Sequence, residues 1–150
     1  MAVNCPPLTL YSAMNVALTI DGRKVIGLWE GDDAITVERN TDLGTPLTGA
    51  DGASVVSISA DQSALLTIKL QANSAMNQYL EQRVKAMRMG SQRLLTVGLV
   101  DTGTGEGGGC SSAVITKEPS KSFGANATER EWQIFCNCWQ SNDISYNPAA

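Results

Sequence analysis

The sequence predicts a mainly β domain, a small barrel or sandwich flanked by one α-helix. Three observations carry that prediction. Most of the chain breaks into strand-length segments with alternating apolar and polar side chains, each closed by Gly, Asp, Asn or Ser. Only one segment, around residues 74–90, repeats its apolar residues at helical spacing. Aromatic residues make up 5% of the chain, so the core must rest on Val, Ile, Leu, Met and Ala, the strand and helix formers seen in those segments. At 150 residues one domain is expected, long enough to bury a core, with an N-terminal arm over about 1–13 and a polar tail over about 140–150.

Met1 to Ser12 contains Pro6-Pro7, which favours extended backbone; it is either a loose terminus or an arm that reaches a neighbour. Val16 to Ile20 is a strand with Val16, Leu18 and Ile20 on one face. Asp21-Gly22 accepts the positive φ angles of a two-residue hairpin turn, and a return strand follows from Lys24 to Trp29. Glu30-Gly31-Asp32-Asp33 breaks it. The stretch from Asp32 to Leu70 is then a run of two-faced strands. Ile35 and Val37 oppose Thr36, Glu38 and Asn40. Leu43, Thr45 and Leu47 continue the alternation, with Pro46 a defect in it. After the turn Gly49–Gly52, Val56 and Ile58 oppose Val55, Ser57 and Ser59. After the turn Ala60–Ser63, Leu66, Ile68 and Leu70 oppose Leu65, Thr67 and Lys69. One face of this stretch is expected to pack on the core and helix.

Asn73 or Ser74 can cap the helix, Met76, Leu80, Val84 and Met87 form its apolar stripe, Glu81 and Lys85 pair four apart, and Gly90 stops it. Leu94 to Asp101 is a strand, Thr102 to Gly109 a flexible Gly-rich loop, and Ser112 to Lys117 a strand. Lys121 to Thr128 is irregular, and Arg130 to Trp139 is the last strand. The total is about eight strands and one helix.

Composition excludes several functions. A net charge of −4 is the wrong sign for a clamp on nucleic acid, which needs cations to displace counterions from phosphate. The absence of histidine removes Ser-His-Asp and Cys-His catalysis and His-containing zinc sites. No apolar run approaches a membrane span, so no membrane anchor is expected, and folding in a cytoplasm is expected from a start without a basic flank or long apolar stretch. Gly103–Gly108 spells a dinucleotide fingerprint, but no helix opens after it and Glu106 stands where phosphate would approach. Asp32, Asp33, Glu38, Asp42, Asp51 and Asp61 lack calcium-loop spacing and any pairing that would separate their pKa values. Cys136 and Cys138 fall on the strand face of Trp132 and Ile134 as buried thiols. Cys5 and Cys110 are the candidates for an inter-subunit disulfide formed outside the reducing cell. No catalytic residue, metal site or cofactor is expected.

Certain residues, in this order and spacing, resemble the tail tube proteins of contractile-tailed bacteriophages, relatives of the inner tubes of type VI secretion and contractile bacteriocins. They are Gly49–Gly52, then Ser57, Ser59, Asp61 and Ser63, then Thr67-Ile68 and Leu70, then the helix start with Ser74, Asn77 and Leu80. Phe123-Gly124 with Arg130-Glu131-Trp132, the Asp21-Gly22 hairpin and the Asp32–Glu38 strand extend the resemblance over residues 14–138; the Gly-rich loop, the cysteines and both termini depart from it. The resemblance implies a structural virion protein, not an enzyme, assembled in the host cytoplasm. Hexameric rings would stack into a tube, each subunit lending strands to a shared inner β-barrel. It implies as partners further copies of this chain, a tail sheath protein, and baseplate hub, tape measure and tail terminator proteins. DNA would pass through the lumen without specific binding.

Combined with strand alternation, the resemblance makes Glu38, Asn40, Asp42, Ser57, Ser59, Asp61, Thr67 and Lys69 lumen candidates, and Gly49, Asp51, Gly52 and Asp61 inter-ring turn candidates. Six copies at −4 each would give −24 per ring, a wall that repels phosphate so that DNA slides. Another ring of the same tail, a tube terminator or baseplate hub, is the alternative. A soluble β-barrel binding a small ligand is a remoter one, because such sites favour aromatic lining.

Overall fold

The structure, a computed structural model, describes residues 4–8 and 10–142. Expectations for the remaining arm residues and for the tail 143–150 lie outside the described residues. The fold is mainly β, sandwich-like, with one α-helix among the described residues.

A single 3₁₀ turn, Ala13–Asn15, leads into β1 (Val16–Ile20). Asp21 (φ 53°) and Gly22 (φ 77°) make the expected hairpin turn. The return strand β2 (Arg23–Lys24) is two residues long instead of six. Beyond it the chain leaves β1 and crosses to the far end of the sheet. There Leu28 bridges Leu70, Trp29 N donates to Lys69 O (2.9 Å), and Gln71 N donates to Gly27 O (2.7 Å). β3 (Ile35–Arg39), β4 (Gly44–Thr48), β5 (Ser54–Ile58) and β6 (Ala64–Gln71) follow at the positions the alternation marks.

The helix α1 (Ala75–Arg88) is capped by Ser74, whose hydroxyl accepts from Met76 N (3.3 Å) and donates to Ile26 O (2.5 Å). Its stripe Met76, Leu80 and Val84 is buried, and Met87 is left 41% exposed at the end of the stripe. Glu81 pairs with Lys121 of the 118–128 loop (2.5 Å) and not with Lys85. That loop folds over the helix flank and brings a cation closer than the next turn does.

β7 (Leu95–Asp101), β8 (Gly107–Lys117), β9 (Glu129–Cys136) and β10 (Gln140–Asn142) complete the sheet, in the order β2-β1-β7-β8-β9-β6-β3 with β10 on β8. Two expectations change here. Gly107–Gly109 is strand, not flexible loop. A Cβ on Gly107 would stand 2.1 Å from Leu99 O, on Gly108 2.5 Å from Gln140 O, and on Gly109 2.7 Å from Val97 O, so the glycines let three backbones approach. The last strand is also broken, between Cys136 and Gln140. The break turns Cys138 out to solvent, although alternation puts it inside, and buries Trp139 instead; it also makes strand of the first tail residues.

The core is built from Leu18, Ile20, Leu66, Ile68, Leu70, Leu95, Ile115, Trp132, Ile134 and the helix stripe. Trp132 is fully buried, and its indole N–H donates to Asn77 Oδ1 on α1 (2.9 Å), which locks helix to sheet.

Candidate functional site

Among the described residues, two surfaces lie outside the core, and both include strands of the stretch the sequence marks out. The first is the outer face of β3, β6, β9 and β8. Register places Thr36 beside Thr67, Glu38 beside Leu65, Thr67 beside Gln133 and Lys69 beside Glu131. Side chains of directly paired residues share a face, so Glu38, Thr67 and Lys69 share one with Glu129, Glu131, Gln133 and Phe135. The helix stripe packs on the opposite face of the same strands, with Leu66, Ile68, Trp132 and Ile134. The Lys69 ammonium donates to the Asp33 carboxylate at 2.8 Å. That hydrogen bond holds Asp33 below and Lys69 above the usual ranges, and Glu129 and Glu131 add to the Lys69 shift. With Lys69 offset by Asp33, the remaining charges on this face are the carboxylates Glu38, Glu129 and Glu131 against one further cation, Lys117, which pairs with Gln133.

The second surface is the β4–β5 ribbon. Its register, Gly44 opposite Ile58 to Thr48 opposite Ser54, is that of a regular antiparallel hairpin, and among the described residues it pairs with no other strand. The expectation that one face of this hairpin packs on the subunit's own core is overturned. Leu47 is 67% exposed on one side, and Val56 and Ile58 are 53% and 68% exposed on the other. The alternation is real, but both faces lie outside the core.

The lumen candidates therefore divide. Glu38, Thr67 and Lys69 come together on the bare sheet face. Ser57 lies on the ribbon, opposite Thr45, and Ser59 N donates to Leu43 O (2.8 Å) at the ribbon's base. Asn40, Asp42 and Asp61 sit at the neck between ribbon and sheet. There Asn40 Nδ2 donates to Ser63 Oγ (2.9 Å), and Asp61 accepts from Thr41 Oγ1 and from Ser63 N (2.9 Å). The Thr41 hydroxyl first, then Ser63, bring the Asp61 carboxyl down to about 2. Of the turn candidates, Gly49, Asp51 and Gly52 form the ribbon tip: Gly49 N donates to Ala53 O (2.8 Å), Ala53 N donates to Asp51 Oδ1 (3.1 Å), and Gly52 takes φ 86°. Asp61 lies at the other end of the ribbon, not at its tip.

A cleft of about 770 Å³ opens where the two ends of the curled sheet face each other. Leu28, Ile35 and Val37 stand on one side, Val16 and Leu99 on the other, and Asp32, Asp101 and Glu106 on the rim. Periodicity within single strands gives no signal for this cleft, since it is made by ends distant in sequence. Among the described residues, no three Cys, Asp or Glu side chains converge in a way that would hold a metal.

Cys5 is exposed; Cys110 is half-buried and packs on the core beside Cys136. A bulge in β8 turns Cys110 inward, since Val97 pairs with Cys110 while Leu95 pairs with Ala113. Burial, with the Cys110 thiol alongside, pushes the Cys136 thiol up to about 12.

Comparison with known proteins adds the following. The family model of the bacteriophage PhiTE tail tube protein matches residues 8–142. No curated protein sequence matches the chain. Solved structures of similar fold include the anti-feeding prophage cap (the AFP tube terminating cap), with TM-score 0.58 at 12% identity over 94% of this chain and 93% of that one. The sheath–tube complex of the extracellular contractile injection system PVC, in its extended state, gives TM-score 0.56 at 13% identity over 87% and 89%. The sheath/tube terminator of the same system gives 0.52 at 14% over 93% and 99%. At these identities the structures carry the fold alone.

Proposed function

This chain belongs to the bacteriophage PhiTE tail tube protein family, and from that premise we propose that six copies close into a ring and that rings stack into the inner tube of a contractile tail. The tube would be the conduit for DNA ejection, enclosed by a sheath. The observation that carries this reading is the β4–β5 ribbon, apolar on both sides and exposed on both. An exposed strand pair of this kind is an aggregation hazard in a monomer and a joining element in a closed assembly. In the ring each ribbon pairs with its neighbours, so the inner barrel is shared. The bare face with Glu38, Thr67 and Lys69 continues that barrel as channel wall, and the tip Gly49, Asp51 and Gly52 reaches the next ring. DNA meets a wall with surplus carboxylates and slides along it.

Electron microscopy of the purified protein tests this: rings of six and hollow tubes are expected, and a compact monomer at all concentrations overturns it. A second reading, a terminating ring of the same tail, is favoured by the similar fold of a tube cap and a terminator. Long tubes formed by this chain alone exclude it; single rings that never elongate support it.

A further inference from the structure

β3 is an open end of the sheet: among the described residues no strand lies beyond it. Its even-numbered neighbours bond to β6. Lys69 N donates to Ala34 O (2.8 Å) and Asn40 N donates to Ser63 O (3.2 Å), with Thr36 opposite Thr67 and Glu38 opposite Leu65 between them. The backbone N–H and C=O groups of Ile35, Val37 and Arg39 therefore point away from β6. All three residues line the cleft of about 770 Å³. An open edge beside an apolar cleft is a template for one more strand. The chain itself comes to this place. β10 ends with Ser141 and Asn142, which line the same cleft, and Arg39 Nη2 donates to Ser141 Oγ (3.5 Å). Residues 143–150 continue from there, outside the described residues.

We propose that residues 143–147 are a strap. In the free subunit they lie along β3 as an added strand and close the cleft, and a neighbouring copy displaces them when copies assemble. The sequence of the segment fits that place. Ile144 and Tyr146 alternate with Asp143, Ser145 and Asn147, which is the period of a half-buried strand, and Pro148 ends it. The length fits as well: five extended residues span about 17 Å, and β3 is five residues long. A strand running antiparallel to β3, with Asn142 opposite Arg39, sets Ile144 opposite Val37 and Tyr146 opposite Ile35. Two apolar side chains then enter the cleft beside two that line it, and the polar ones stay outside. A covered edge keeps free copies from pairing at random. The closure concerns one chain by itself, whereas the displacement rests on the tube reading above.

Hydrogen exchange on the monomeric fraction of the full chain tests the closure. Two variants are compared with it: a chain ending at Asn142, and Ile144→Ser with Tyr146→Ser, which keeps the length and decides the matter if the shortened chain does not fold. The Val37 amide is expected to exchange at least about tenfold faster in both, while those of Thr36 and Glu38, held by β6, are unchanged. Equal exchange at Val37 in all three proteins overturns the proposal and leaves the tube reading standing. Wild-type protection that falls on dilution overturns it too, because the added strand then comes from another copy. So does a wild type with no monomeric fraction at any dilution. Light scattering follows assembly at equal concentration, and the variants are expected to assemble at least about threefold faster, their edge being open from the start. Assembly at the wild-type rate or below overturns the displacement. Wild-type protein that forms neither rings nor tubes overturns the tube reading and the displacement with it, and exchange at Val37 still decides the closure.

Discussion

Asp21 shows how much one turn residue can connect. Its backbone takes φ 53°, and its carboxylate, 4% exposed, accepts from Tyr79 Oη on α1 (2.5 Å) and from Thr96 N on β7 (2.9 Å), with Arg93 at 3.8 Å. Burial pushes this carboxyl up, but the hydrogen bonds and cations outweigh it and hold it below the usual range. Asp21→Asn keeps the turn conformation, which Asn tolerates, and removes the charge. A loss of about 1–3 kcal/mol in thermal or denaturant unfolding is expected. Asp61 makes a separate pH prediction. Its carboxyl is lowered from 3.8 to about 2 by Thr41 and Ser63, so the charged form is favoured in the folded chain. The stability this contributes is fully present above about pH 4 and lost as pH falls through about 2. Asp61→Asn is expected to flatten that part of the acid unfolding curve, and an unchanged curve would refute the assignment.

Strand and ribbon behave differently as elements. β8 passes closely between β7 and β10 because Gly107–Gly109 leave room for neighbouring backbone. Gly108→Ala sets a Cβ 2.5 Å from Gln140 O and 2.7 Å from the Trp139 indole nitrogen. The overpacking is expected to cost about 1–3 kcal/mol and to raise hydrogen exchange in β10. The β4–β5 ribbon gives the opposite outcome. Its side chains touch little of their own subunit, so Leu47→Asp with Val56→Asp should leave monomer stability within about 0.5 kcal/mol, as exposed substitutions do. Rings and tubes should be lost, because the exposed apolar surface is what assembly would bury. Intact tubes from that double variant would remove the ribbon from the subunit interface.

The whole molecule is asymmetric across its sheet. One side carries α1, with Arg88 paired to Glu118 and Arg93 near Asp21; the other carries Glu38, Glu129 and Glu131 against Lys117, with Lys69 offset by Asp33. That asymmetry bears on transport. Glu38→Lys is expected to leave tubes assembled and to slow DNA ejection, measured as the rate of genome release from particles reconstituted with the variant. Ejection at the wild-type rate would take Glu38 off the channel wall.

The sequence by itself determined the fold class, the Asp21-Gly22 turn, the Ser74 cap, the stripe Met76, Leu80 and Val84, and the positions of β3 to β6. Each is a local matter of backbone preference or side-chain period. It also placed Glu38, Thr67 and Lys69 on one face, since alternation within strands survives any register that keeps the core buried. Only the tertiary structure decided that the ribbon leaves the core, because period two says that two faces differ and not what covers them. It alone decided that Gly107–Gly109 is strand, that Cys138 turns outward while Cys110 turns in, and that Glu81 meets Lys121. A glycine run, a strand break, a bulge and a loop passing over the helix acquire those roles from backbone brought alongside by residues far away in the chain.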